Sequence, residues 1–558
     1  MRRLALALAL AGLGLPVERV ASACGCFTPP DPSVPVVQAG ERILFAIQDG
    51  QVTAQIQIQY DGPAQDFGWI LPLPSEPTME LGVDELFTKL TSQTQPKYEL
   101  KYSYEGNCSF DPSKRAQFAT APSAATGGAE DSTSNGGSPL VYQASVGPYD
   151  YAVLKGDSKQ PMLDWLSTNH YFVPAGTDET VAQYIHDGAF FLALKLHPGA
   201  TTGDLQPVVV HYASDLPMIP IVLTSVAAKP NMGIQVWMLG GGRAIPRNYY
   251  HTVINDALID WPNAGQNYND VIIQAVGEAP GRHSFVTEYA GSSSVMQKQL
   301  NPTGRFGTLA ELESSANAEA FLQYLTYHGF TYSSALVAIL QKYFPEPADL
   351  VSQGVSPAQF YGSTYYYDSS YGYLNQNPHA FDSWSFLPMQ IGQEIDDRVI
   401  QPTLKAGAIF DQFGYLTRLY TTLSPEDMNK DPVFSYNAGL ASVSNVHTGA
   451  LAYHCDDGDR GISNTSATLV TEEGWVIQYP SGTGVAFSAP PGLPASQRIE
   501  VLSEEGAPTV VTNNAGVIPK RLGMGGCSFM GDSTNGSLAI FALFGFALAI
   551  TILRRRSA

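Results

Sequence analysis

Charge is scarce in this chain. Asp, Glu, Lys and Arg together make up 15% of its 558 residues, which argues against a cytosolic helical enzyme. Positive charge is scarcer still: 30 Lys and Arg stand against 51 Asp and Glu, a formal net charge of −21. Residues 1–23 carry three Arg and one Glu, and residues 527–558 carry three Arg and one Asp, so the body between them is near −25. Such a field repels phosphate backbones and anionic lipid, which excludes nucleic acid as a partner. Catalytic signatures are missing too. The sequence has no G-x-S-x-G elbow, no H-E-x-x-H helix, no Walker loop and no Rossmann fingerprint in a strand–helix context. No catalytic residue, metal site or cofactor is assigned on this reading, and no long-period repeat runs through the chain.

Cysteine is also rare. The five are Cys24, Cys26, Cys108, Cys455 and Cys527. Cys527 lies in a separate element near the C-terminus. The other four are an even number, so in an oxidising compartment two disulfides are expected. A Cys24–Cys26 bond closes a very small ring, so each of these two is expected to pair with Cys108 or Cys455. Neither a C-x-x-C spacing nor a second ligand pair supports a redox or metal role for Cys24-Gly25-Cys26.

What is abundant is Gly, Pro, Tyr and Phe, the composition of an extracellular, β-rich, loop-rich protein. Length alone predicts two to four domains. The start of the chain has the three parts of a secretory signal: Arg2 and Arg3, an uncharged apolar run over 4–15, and Ala21-Ser22-Ala23 as a small-x-small cleavage site. Near the other end, residues 537–553 are apolar and uncharged, about 25 Å as a helix, enough for a thin bilayer. Arg554, Arg555 and Arg556 follow at once, and such a cluster stays on the cytoplasmic side, orienting the body outward.

Between the ends, residues 43–48 and 52–60 read as two strands joined by Asp49-Gly50, a two-residue hairpin signal. The second strand alternates Val52, Ala54 and Ile56 with Thr53, Gln55 and Gln57, one buried face and one polar face. Asp84 reads as the cap of a helix over 85–91. Strands are expected at 190–196, 207–212, 219–226 and 234–239. Helical spacing marks 179–186, 268–276, 309–328 and 335–344, and an irregular Tyr-rich surface segment occupies 361–378. Strands return at 474–479 and 498–502. The fold class expected is α+β, an antiparallel β-rich body with helical insertions. The divisions are a signal peptide at 1–23, a β-rich α+β domain at 24–263, a helix-containing region at 264–430, a small β-rich region at 431–504, a linker with a sorting element at 505–536, and a transmembrane helix with an Arg-rich tail at 537–558.

Two resemblances extend this reading. Gly526-Cys527, a short spacer, the apolar span and Arg554–Arg556 together resemble the myxobacterial C-terminal sorting signal. That implies a membrane-embedded protease that processes the tail near Cys527 and releases the protein to the cell surface. In the body, Cys24-Gly25-Cys26-Phe27, Phe67-Gly68-Trp69-Ile70-Leu71-Pro72-Leu73-Pro74, Tyr149-Asp150-Tyr151 and Gln235-Val236-Trp237-Met238-Leu239-Gly240 resemble an exported bacterial family, the domain of unknown function numbered 2330. Tyr415-Leu416-Thr417-Arg418-Leu419 and Asp431-Pro432-Val433-Phe434 also fit. The family has no established activity to carry over; it implies export and frequent surface anchoring.

Several clusters were weighed as sites. Gly240-Gly241-Gly242 lacks the Lys and helix of a phosphate loop and reads as a turn. His454-Cys455-Asp456-Asp457-Gly458-Asp459 is dense in ligand atoms but lacks calcium-loop spacing. His186-Asp187 and His211 could support acid–base work, and Asp66 reads as a turn former. Tyr365, Tyr366, Tyr367, Tyr371 and Tyr373 offer an aromatic surface for a glycan or protein ligand. The resulting expectation is an exported protein of the cell envelope, outer membrane or cell surface, with a membrane contact through its tail and a non-catalytic structural or binding role. The alternatives are a secreted hydrolase assembled from distant loops and a carbohydrate- or protein-binding adhesin.

Overall fold

A computed structural model of the protein describes residues 26–27, 38–57, 67–106, 139–171, 178–200, 204–302, 304–455, 465–480 and 492–520. The segment 1–23, Cys24, Asp66, Cys108, the Asp456–Asp459 turn, Gly526, Cys527, the apolar run 537–553 and Arg554–Arg556 lie outside these residues. Among the described residues no helix is long and apolar enough to cross a membrane.

Alternation of apolar and polar residues builds a ten-stranded sheet. From one edge to the other its strands are Thr509–Asn513, Ser496–Val501, Tyr250–Ile254, Ser284–Ser292, Tyr415–Leu423, Ala228–Gly240, Gln38–Gln48, Gln51–Gln57, Val208–Ala213 and Thr78–Leu81. A second sheet of five strands runs Cys26–Phe27, Gly68–Leu73, Phe190–Leu196, Tyr149–Lys155 and Leu140–Val146. A four-stranded sheet holds Lys97–Gly106, Val446–Cys455, Ser466–Thr471 and Val476–Tyr479. The body is mixed α/β and β-rich, with helical pieces, but it is not purely antiparallel. Ala228–Gly240 runs parallel to Gln38–Gln48, Tyr250–Ile254 to Ser284–Ser292, and Val446–Cys455 to Lys97–Gly106. Long connections separate each of these pairs in sequence, and long connections are what parallel neighbours require.

The Asp49-Gly50 turn forms as expected. Both residues have positive φ, 53° and 71°, and the strands they join pair from Gln48↔Gln51 to Arg42↔Gln57. Two residues of the expected polar face are buried instead, Gln55 and Gln57, and Gln57 reaches the first residue of the helix Asp84–Thr94. Asp84 is not that helix's cap. Val83 holds the cap position, and the Asp84 carboxylate accepts hydrogen bonds from Gln57 Nε2 (2.8 Å) and Ser334 Oγ (2.9 Å).

Successive residues of a strand face opposite layers, and this sorts the core. Ile43, Phe45, Val52, Ala54 and Ile56 face the five-stranded sheet, meeting Trp69, Leu71, Tyr149 and Leu192. Leu44, Ala46, Trp237 and Leu416 face the helices Asp84–Thr94 and Gln401–Gln412. The outer side of the five-stranded sheet is covered by the helix Lys159–Thr168 through Met162, Trp165 and Leu166. Residues 219–226 are not a strand: Pro220 precedes a short helix, Ile221–Thr224, because a ring-locked φ and a missing N–H disfavour a ladder. The span 309–328 divides into Leu309–Glu313 and Ala318–Tyr327, the second capped by the Asn317 side chain.

Residues 306–400 gather a helical core of their own. It is tied to the rest of the body by Arg305, whose guanidinium grips Glu85 of the helix Asp84–Thr94 with two bonds of 2.8 Å, and by Arg398, which meets Gln206 at 2.9 Å. The ten-stranded sheet draws strands from both sides of residues 263 and 430. It also takes one strand, Thr509–Asn513, from the stretch expected to be linker. Val510, Val511 and Thr512 are β-branched and fit a pleated edge.

Candidate functional site

The site begins with a residue that breaks its strand's pattern. Glu41 has the same parity as Ile43 and Phe45, so its carboxyl faces the apolar inter-sheet layer. It is 4% exposed, and its Oε2 has no hydrogen-bond partner. Opposite stands Trp69 of Gly68–Leu73, 1% exposed, whose indole Nε1 is also without a partner. Buried polar atoms are almost always bonded, and leaving one unpaired costs about 1–3 kcal/mol. Both residues line a partly enclosed cavity of about 190 Å³ between the sheets.

The cavity's walls are mostly apolar: Ile43, Phe45, Ala54, Ile56 and Leu223 among them. Tyr184, Tyr212 and the exposed His186 add polar tips. Among the described residues no Lys or Arg lines it. Burial pushes the Glu41 carboxyl up to about 8, and the negative charge of Asp431 adds to the effect. Asp431 itself is held by neutral donors, Tyr184 OH at 2.7 Å and the Val222 N–H at 2.9 Å. At neutral pH Glu41 is therefore mostly a neutral acid, able to donate one hydrogen bond and accept another.

A second polar group sits elsewhere on the ten-stranded sheet. The Thr287 hydroxyl is 3.1 Å from His251 Nε2, and His251 Nδ1 is 3.3 Å from Glu500. The order hydroxyl–imidazole–carboxylate is that of a nucleophile relay. Its setting is not. All three residues are buried, and Arg243 Nη2 lies 3.0 Å from the hydroxyl and 3.2 Å from the same imidazole nitrogen. The guanidinium thus occupies the space beside the hydroxyl that a substrate carbonyl needs. Burial, the larger cause, lowers the His251 pKa, against the opposing pull of Glu500. The group fixes three strands together and presents no reactive atom to a ligand.

A family model described as an uncharacterized protein conserved in bacteria (DUF2330) matches residues 20–352. The chain belongs to that family. The match takes in every residue that lines the inter-sheet cavity, from Glu41 to Thr224. It stops short of Tyr415–Leu419 and Asp431–Phe434. No curated protein and no solved structure matches.

In this member of the family, the residues weighed in the sequence scatter. His186 reaches the cavity rim, beyond a helix that ends at Ala182. His211 makes an ordinary bond to Thr53 Oγ1 at 3.0 Å. Gly240 ends its strand, packed on Tyr436, and Gly241-Gly242 bend the chain into Arg243–Pro246. His454 bonds Glu105 at 2.9 Å and Thr468 at 2.8 Å, and among the described residues no group of three or more His, Cys, Asp or Glu gathers as a metal site. The Tyr-rich segment forms short helices, Thr364–Tyr367 and Gly372–Gln376, rather than irregular surface. Tyr367 is buried, while Tyr365 and Tyr371 stay 51% and 49% exposed. Cys455 is buried at the end of its strand, opposite Gly106 in register. Glu41 and Trp69 were missed as a site. The available signal was the parity of Glu41 with Ile43 and Phe45.

Proposed function

We propose that this protein is exported, is held at the cell envelope or surface through its C-terminal tail, and acts without catalysis by holding a small, mostly apolar molecule between its two sheets. The observation that carries the binding role is the inter-sheet cavity with two buried, unpartnered polar atoms, Glu41 Oε2 and Trp69 Nε1. Small-molecule sites have this make-up: apolar walls and a few convergent polar groups. Family membership is consistent with the placement, as are the signal-like start and the Gly526-Cys527 tail, whose processing requires a membrane protease as partner.

Disulfides belong to the same reading. We infer a Cys108–Cys455 bond. Its support is the register that sets Cys455 beside Gly106, two residues before Cys108 in the sequence.

Calorimetric titration with 2-phenylethanol tests the binding role. Ala54→Phe fills the cavity from one wall, and the milder Ile56→Phe does so with less crowding. Both are expected to weaken binding at least about tenfold, since the volume left cannot hold a benzene-sized body. Unchanged affinity in both variants contradicts the reading. A panel of peptidase, esterase and glycosidase substrates checks the non-catalytic part. No turnover is expected, and turnover abolished by His251→Ala overturns it.

A further inference from the structure

The unpartnered atoms say what kind of molecule fits, granted that the cavity is a binding site. Glu41 stands in an apolar layer with no Lys or Arg in the wall among the described residues. The charged or titratable groups facing it are Asp431, Tyr184 and His186, and Tyr212 from the strand Val208–Ala213. Asp431 already has its hydrogen bonds, from a hydroxyl and an amide rather than from a cation. Two carboxyl groups thus share one region without a counter-charge among the described residues. Four aromatic side chains, Phe45, Trp69, Tyr184 and Tyr212, also line the space, and ring faces attract cations. The Trp69 N–H is a donor and requires an acceptor oxygen.

We propose that the cavity takes a small aromatic ammonium ion, with its charged end on the Glu41 carboxylate and an oxygen acceptor on the Trp69 N–H. The size follows from volume. A cavity of about 150 Å³ holds benzene, so 190 Å³ encloses a body of roughly eight non-hydrogen atoms, and the open side leaves room for one or two more. Binding exchanges one cation for another: the proton on Glu41 leaves to solvent and the ammonium takes its place. Complex formation therefore releases about one proton below pH 8, and affinity rises with pH until Glu41 ionises unaided.

Three probes separate the elements of this proposal on the full-length protein: tyramine, its neutral isostere 4-(2-hydroxyethyl)phenol, and 2-phenylethylamine, which lacks the ring oxygen. Tyramine is expected to bind tightest, with its Kd falling about tenfold per pH unit from pH 6 to 8. Glu41→Gln should weaken tyramine at least about thirtyfold and leave the neutral phenol unchanged or improved, because the amide keeps shape but cannot pair with a charge. Trp69→Phe should erase the advantage of tyramine over 2-phenylethylamine. The ammonium proposal fails if the neutral phenol equals tyramine in the wild type, or if Glu41→Gln keeps tyramine affinity. In that case the cavity remains a binding site for neutral molecules. If none of the three probes binds at any pH, the binding role itself fails with it.

Discussion

A carboxyl group buried without a partner writes itself into the stability of the whole chain. The Glu41 pKa is raised from 4.5 to about 8 by burial. The folded state therefore holds a proton that the unfolded state releases between those values. Stability from this group is complete below pH 4.5 and is lost as pH rises toward 8. A shift of this size corresponds to an upper bound of about 5 kcal/mol, at about 1.4 kcal/mol per unit. Urea unfolding at pH 5, 6, 7 and 8 should show this decline in the wild type, and Glu41→Gln should flatten it. A parallel decline in both proteins would assign the effect to other groups. Contrast Glu288, equally buried but fully paired: Arg418 Nε donates to it, and Gln235 Nε2 and Tyr268 OH do so at 3.0 and 2.7 Å. The pairing makes Glu288 part of the scaffold, whereas Glu41 Oε2 has no partner and lines the inter-sheet cavity.

Local chemistry was legible wherever one element decided the outcome. Asp49-Gly50 specified its turn because the backbone there needs positive φ at both positions. No neighbour crowds a Cβ at Gly50, so Gly50→Ala isolates the dihedral cost, expected at about 1–2 kcal/mol in urea unfolding. A loss well beyond that range, or none, would contradict the turn's role. Periodicity also located Tyr268–Gly277, Ser334–Tyr343 and Phe190–Leu196 within a residue or two. It failed where both faces of an element are covered. Gln55 reads as solvent-facing, yet it is buried and pairs in register with Leu44, which packs among helices from later segments. Residues 219–226 read as a strand because a buried apolar run has no period to tell strand from helix. Glu41 belonged to the first strand in truth but fell outside the apolar run by which that strand was recognised, so the site passed unseen.

On the scale of the molecule, the ten-stranded sheet collects strands from residue 38 to residue 513. Composition and turn signals along a chain cannot reveal such closure, because its partners are set by packing between distant segments. The same sheet explains why the relay of Thr287, His251 and Glu500 is invisible in sequence: its members come from three strands more than two hundred residues apart at the extremes. The ends of the chain are argued from sequence alone. Replacing Cys527 with Ser is expected to leave an unprocessed precursor that keeps Arg554–Arg556, detected by intact-mass measurement beside the wild type. A wild-type protein that retains those Arg residues would instead identify a permanent anchor.

The central claim is that the space between the two sheets is a ligand site. The most direct measurement is a crystal soaked in iodobenzene, with the anomalous signal of iodine used to locate it. The account predicts iodine between Glu41, Trp69 and Ile56. A cavity closed by inward rotation of Phe45 or Trp69, with iodine found only at the surface, would contradict it.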